Sequence, residues 1–220
     1  MNATELLELA RTELDDEEED YLWSDTLLYR YIDLAQMEFA KQTECFKDSF
    51  TDSVVEVDVA ANESTVELSP LIIRIEKAYL KSENSPLSII NENEIEQEYD
   101  GEVWRTATGL PQFLVFDADS TYGRLVPIPT ANDTIYLSVV RYPLREISAS
   151  YTTVELKDRR HQYMLLDWVK HLAYSVNDAD VSNPELADKH KASFLANCMQ
   201  VRSETIQKHR RPGTVRYGGY

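Results

Sequence analysis

The stretch Leu165-Leu166-Asp167-Trp168-Val169-Lys170-His171-Leu172-Ala173-Tyr174-Ser175-Val176 decides how the chain is read. Leu165, Val169, Leu172, Ala173 and Val176 recur at i, i+4, i+7, i+8 and i+11, the stripe of an amphipathic helix. After Asn177–Ser182, Asn183 stands where a helix cap belongs, with Pro184 at the first helical position and Glu185 at the positive helix end. The helix that follows carries Leu186, Phe194, Leu195, Cys198 and Val201. Its short connection predicts an antiparallel pair within residues 159–208. Beyond it, His209-Arg210-Arg211-Pro212-Gly213-Thr214-Val215-Arg216-Tyr217-Gly218-Gly219-Tyr220 has no apolar period and reads as an arm that orders on binding.

Two more helices are expected at the other end of the chain. Thr4 is placed to cap the first, which has Leu7, Ala10 and Leu14 on one face and should stop before the acid run Asp15–Asp20. Ser24 should cap the second, Asp25–Cys45, with Leu28, Ile32, Ala35 and Phe39 as its stripe and Leu27, Tyr31 and Leu34 widening it. Trp23 should staple back on its first turn.

Between the helical ends the period shortens. Val55, Val57 and Val59 alternate with acids, and Thr65–Ser69, Leu71–Leu80, Gln112–Asp117, Arg124–Ile128 and Thr134–Tyr142 read as further strands. Ser82–Pro86 reads as a break and Asn91–Glu96 as a short helix. Gly109 permits a turn into Gln112, and Pro127 and Pro129 place the strand before them at an edge. The expected class is α+β: a four-helix-type bundle from residues 1–50 and 155–208, a β-rich insertion at 51–154, and an extended arm at 209–220.

The charge is −17 and unevenly spread. Residues 1–25 hold ten acids against Arg11 alone, whereas beyond Glu204 there are only bases, Lys208, Arg210, Arg211 and Arg216. An acidic body opposes non-specific binding to nucleic acid, and ends of opposite sign invite contact between subunits or docking on an acidic partner. No apolar run approaches the ~18–20 residues of a membrane span. The opening Met1-Asn2-Ala3-Thr4-Glu5 lacks a secretory pattern, so a cytoplasm-like compartment is expected, with Cys45 and Cys198 as buried thiols inside helices.

Chemistry is hard to find. The chain has no nucleophile elbow, phosphate loop, dinucleotide fingerprint or zinc spacing. Asp167 and His171 share a helix face at i, i+4 and read as a surface ion pair. Asp178-Ala179-Asp180-Val181-Ser182 starts like a calcium loop but lacks its glycine and reads as a capping loop. Glu92, Glu94, Glu96 and Glu98 read as solvent-facing, and the run Asp15–Asp20 as a solvated loop. No cofactor, metal or catalytic residue is expected.

The order of motifs resembles the head-to-tail adaptor, or connector, proteins of short-tailed bacteriophages. The resemblance is carried by Thr4-Glu5-Leu6-Leu7, Trp23-Ser24-Asp25-Thr26-Leu27-Leu28, Tyr31-Ile32-Asp33-Leu34-Ala35, Thr108-Gly109-Leu110-Pro111-Gln112-Phe113, Pro127-Ile128-Pro129, Arg141-Tyr142-Pro143-Leu144, Asp167-Trp168-Val169, Asp180 and Asn183-Pro184. It implies a structural, non-enzymatic virion protein at the head-tail junction, assembled in the host cytoplasm. It further implies a ring, typically twelvefold, on the portal protein. Such a ring continues the DNA channel, through which DNA passes non-specifically, and bears tail nozzle or tail tube proteins. The portal-docking arm would then use His209, Arg210, Arg211, Arg216, Tyr217 and Tyr220. Two other classes stay open on residues alone: a tail or fibre-associated protein binding a host surface, and a phage-associated hydrolase.

Overall fold

The computed structural model describes residues 1–98, 101–116, 121–176 and 182–209. In chain order the elements are α1 (Ala3–Leu14), α2 (Asp25–Thr43), β1 (Lys47–Asp48), α3 (Asp52–Val55), β2 (Glu56–Val59), β3 (Thr65–Glu67), β4 (Ile72–Leu80) and β5 (Ser85–Ile90). Then come α4 (Glu92–Glu98), a 3-10 turn (Gly101–Arg105), β6 (Phe113–Phe116), β7 (Tyr122–Val126), β8 (Asp133–Arg141), α5 (Arg159–Tyr174) and α6 (Pro184–His209). The fold is α+β, as the sequence implies. It divides into two compact units: Met1–Cys45 with the chain from Arg145 onward, and Phe46–Leu144.

In the helical unit, α2 packs on α1, α5 and α6, and α5 on α1 and α6. The α5/α6 pair is antiparallel. His171 meets Ala187, and Asp167 meets His190 and Ser193, so positions earlier in α5 meet positions later in α6. Leu165, Val169 and Ala173 of the expected stripe are fully buried, while Leu172 and Val176 are half-buried at its border. Asn183 caps α6 through Leu186 N–H at 3.2 Å. The centre is aromatic: the Trp168 and Phe194 rings lie 4.9 Å apart, and Phe39 meets Phe194 edge-on at 6.3 Å.

Several local expectations change. The first cap is Asn2, not Thr4: Asn2 Oδ1 accepts from Glu5 N–H, and the Glu5 carboxylate accepts from Asn2 N–H, a reciprocal capping box. Of the residues expected to widen the stripe of α2, Leu27 and Tyr31 are half-buried and Leu34 is exposed; the further buried positions include Tyr29, Asp33, Gln36 and Ala40. Asp33 Oδ1 accepts from Ile147 N–H and Gln36 Oε1 from Glu155 N–H, both at 2.8 Å. The oxygens of both side chains bond the returning backbone, while the buried Gln36 Nε2 has no hydrogen-bond partner among the described residues. Cys45 lies past the end of α2 and is half-buried, whereas Cys198 is buried in α6; no disulfide joins them. Burial, with Glu38 and Cys45 nearby, pushes the Cys198 thiol up to about 12.

The β unit is one sheet in the order β1-β8-β4-β5-β6-β7-β3, with β2 also paired to β8. Only β5 and β6 run parallel. Ile135, Leu137 and Val139 of β8 point into a core shared with Val57, Val59, Ile75, Ala78, Leu80, Leu114 and Leu125. Val55 is helical rather than extended: one turn of helix buries the neighbours Val54 and Val55 together, where a strand would send them to opposite faces. The expected break at Ser82–Pro86 ends earlier, because β5 begins at Ser85. Pro86 pairs opposite Tyr79, in a part of β5 that has no β6 neighbour to need its missing N–H. β7 is not an edge strand; it runs between β6 and β3, and its prolines fall just after it. At Gly123 a Cβ would sit 2.8 Å from Leu114 Cδ1, so any larger residue would require the Leu114 side chain to move. The calcium-like Asp178–Ser182 loop falls outside the described residues save Ser182, as do Asp119 and Ser120 of the turn before β7.

Expected outcome: Phe194→Ala lowers stability by about 3–5 kcal/mol in chemical denaturation, because it empties the aromatic centre of the bundle. Met199→Ala, one turn away on the exposed side of α6, changes it by less than about 0.5 kcal/mol.

Candidate functional site

Among the described residues no group of three or more His, Cys, Asp or Glu is placed to hold a metal ion. His161, His171 and His190 are used in packing and hydrogen bonding. The expected Asp167–His171 pair does not form: Asp167 instead bonds His190 Nδ1 at 2.8 Å and Ser193 Oγ at 2.8 Å, and Lys170 lies 3.6 Å away. His171 Nδ1 sits 3.0 Å from Ala187 O, and burial pushes its pKa down. His161 stacks against Phe39 at 5.4 Å. On α4, Glu94, Glu96 and Glu98 are exposed as expected, and Glu92 is half-buried and bound to Arg105 at 2.6 Å.

The features that stand out are two rigid surface loops, each organised by a buried ion pair. The first is the acid run. Its Asp16 is buried, not solvated, because Arg11 needs it. Arg11, the one base among ten acids, sends Nη1 to Asp16 Oδ2 at 2.6 Å and Nη2 to Asp25 Oδ1 at 2.5 Å and Trp23 O at 3.0 Å. Its guanidinium lies 3.7 Å from the centre of the Tyr21 ring, and Asp16 Oδ1 accepts from Leu22 N–H at 2.8 Å. Residues 16–25 therefore wrap one guanidinium, leaving Glu17, Glu18, Glu19, Asp20, Tyr21 and Leu22 exposed on a fixed base. The lone basic residue at an otherwise acidic end was the available signal in the sequence.

The second loop belongs to the β unit. Asp48, itself buried, accepts from Phe50 N–H at 2.9 Å, Thr51 N–H at 3.1 Å, Thr51 Oγ1–H at 2.7 Å and Arg141 Nε–H at 2.6 Å. Burial alone would raise this carboxyl's pKa. The hydrogen bonds from Phe50, Arg141 and Thr51 outweigh it and hold the group well below the usual carboxylate range. The turn presents Phe50 to solvent at 89% exposure, a large apolar ring with its backbone already fixed. No sequence pattern marked it.

Of the expected arm, His209 is the last residue of α6, so the helix runs one residue into the stretch expected to be extended. Arg210, Arg211, Arg216, Tyr217 and Tyr220 lie outside the described residues. Among the described residues no helix is long and apolar enough to cross a membrane.

The sequence of this chain matches the SU10 adaptor protein family over residues 1–216, and the chain belongs to that family of phage head-to-tail adaptors. No curated protein matches it.

Expected outcome: Arg11→Met leaves Asp16 buried and unpaired and costs about 3–5 kcal/mol of unfolding free energy. Glu18→Gln, on the exposed part of the same loop, is close to neutral. Asp48 gives a pH test. Its folded pKa lies below the unfolded value of about 3.9, so its contribution is full above that pH and is lost as pH falls toward the folded pKa. Asp48→Asn should lower stability at neutral pH and flatten the acid limb of the stability profile; an unchanged acid limb counts against this role.

Proposed function

We propose that the chain is the subunit of a ring, most simply twelvefold, that sits on the portal protein, continues the DNA channel and bears the tail nozzle or tail tube proteins. The observation that carries this reading is the family match, which spans the helical ends and the β insertion alike rather than a shared module. The helical unit, 1–50 and 155–208 as the sequence divides it, forms the ring body. The β-rich part, 51–154, faces neighbours and tail proteins, and Phe50, exposed at the junction just before it, is a ready anchor. The arm 209–220 docks on the portal through His209, Arg210, Arg211, Arg216, Tyr217 and Tyr220.

The charge supports a conduit. With 39 acids against 22 bases, a bore lined by carboxylates repels phosphates, so DNA slides through without being held. The role needs no cofactor, no membrane and no catalysis; contacts between copies and with the portal are the whole function.

Expected outcome: native mass spectrometry and negative-stain imaging show a ring when the chain meets portal rings. Deleting 209–220 leaves a folded helical core, by circular dichroism, that no longer binds portal. Undiminished portal binding by the truncated chain would show that another surface docks. A ring with a basic or apolar bore would overturn the conduit.

A further inference from the structure

Among the described residues, two side chains of the β unit that carry donors without an acceptor, Trp104 and Arg124, line one cavity. Trp104 is 1% exposed, and its indole Nε1–H has no hydrogen-bond partner among the described residues. Arg124 on β7 is half-buried and makes no ion pair among the described residues. Together with Thr65, Glu92 and Tyr122 they line a cavity of about 230 Å³. The Arg124 guanidinium lies 5.6 Å from the centre of the Trp104 ring and that of Arg105 4.3 Å from it. Arg105 is neutralised by Glu92 at 2.6 Å, with Glu96 at 3.8 Å. Among the described residues Glu92 is the one acid of the cavity lining, and it is bound to Arg105 rather than to Arg124.

The geometry points to an anionic oxygen as the missing component. A guanidinium fork held against an indole matches a carboxylate in two parallel hydrogen bonds. The volume falls below the ~300–1,000 Å³ usual for small-molecule sites and suits a single side chain. A DNA phosphate has the same charge, and a preference for phosphate or duplex over a carboxylate is one outcome that overturns the proposal.

The chain supplies the ligand in abundance. Glu17, Glu18, Glu19 and Asp20 form its densest exposed acid run, and the Arg11–Asp16 pair fixes the base of that loop. Carboxylates presented this way lose little further freedom on binding. We propose that the Trp104–Arg124 cavity of one copy receives a carboxylate from the Glu17–Asp20 run of a neighbouring copy. This contact rests on the ring reading, since it needs copies side by side; the anion preference of the cavity does not.

The test titrates the full-length chain calorimetrically with a peptide of residues 15–22, and with a version carrying lysine at 17–20. The acidic peptide binds and the lysine peptide does not. Arg124→Glu weakens binding by at least about tenfold, and Arg124→Lys by less, with unchanged melting curves. In ring assembly, Arg124→Glu and the fourfold change Glu17→Lys, Glu18→Lys, Glu19→Lys, Asp20→Lys each reduce ring mass, and one chain carrying both restores it. Equal peptide binding by Arg124→Glu, failure of the double change to restore rings, or a preference for inorganic phosphate or a short duplex over the peptide overturns the proposal. A wild type that binds the peptide through Arg124 but forms no ring on portal sinks the ring reading and supports the cavity. Rings undiminished by Arg124→Glu do the reverse.

Discussion

Two hydrogen bonds on one side of α2 decide whether this topology closes. The chain leaves the helical unit at Cys45 and re-enters at Arg145, and Asp33 and Gln36 take the returning backbone at Ile147 and Glu155. Closing so long an excursion costs entropy only logarithmically in its length, so a few well-placed bonds are enough to hold the return. The same bonds satisfy backbone N–H groups that burial would otherwise leave orphaned. Burial raises the Asp33 carboxyl's pKa, and the Ile147 N–H opposes that rise. The segment so fixed leads into α5, whose aromatic contacts with α6 complete the bundle.

The same device recurs at the surface. Asp16 and Asp48 are both buried, both bound to an arginine, and both accept backbone N–H groups from the loop they organise. In each case a charge hidden beneath the surface fixes what is shown above it: a row of acids with Tyr21 and Leu22 in one unit, the ring of Phe50 in the other. For an adaptor, whose work is contact, this arrangement lowers the entropy lost when a partner arrives.

The helical pair was legible because its information is periodic. Leu165, Val169 and Ala173 repeat along one face, and Asn183-Pro184 punctuates the start of α6. What stayed hidden follows a physical pattern. Asp33 and Gln36 are buried polar residues that in a sequence look the same as solvated ones; only their partners Ile147 and Glu155, distant along the chain, separate the two cases, whereas the Arg11–Asp16 pair is local and was marked only by the isolation of Arg11 among acids. Val55 misleads because alternation in a short window fits a strand or the end of a helical turn. β7 ends in Val126-Pro127 yet lies inside the sheet, because a proline just past a strand leaves its ladder intact. Of the candidate site, the order of motifs gave the family, whereas the Phe50 turn and the Trp104 cavity arise from pairings that no local pattern encodes.

The margins of the sheet have a further meaning. Its outlying strands β1, β2 and β3 are two, four and three residues long, while β4 and β8 in the interior have nine each. So short a border offers almost no backbone template for another chain to extend. A chain that gathers into a ring, as proposed for this one, is most exposed to runaway strand pairing at the moment of gathering. In the proposed ring, association would be left to side chains, whose geometry can count copies and stop, instead of to backbone, which cannot.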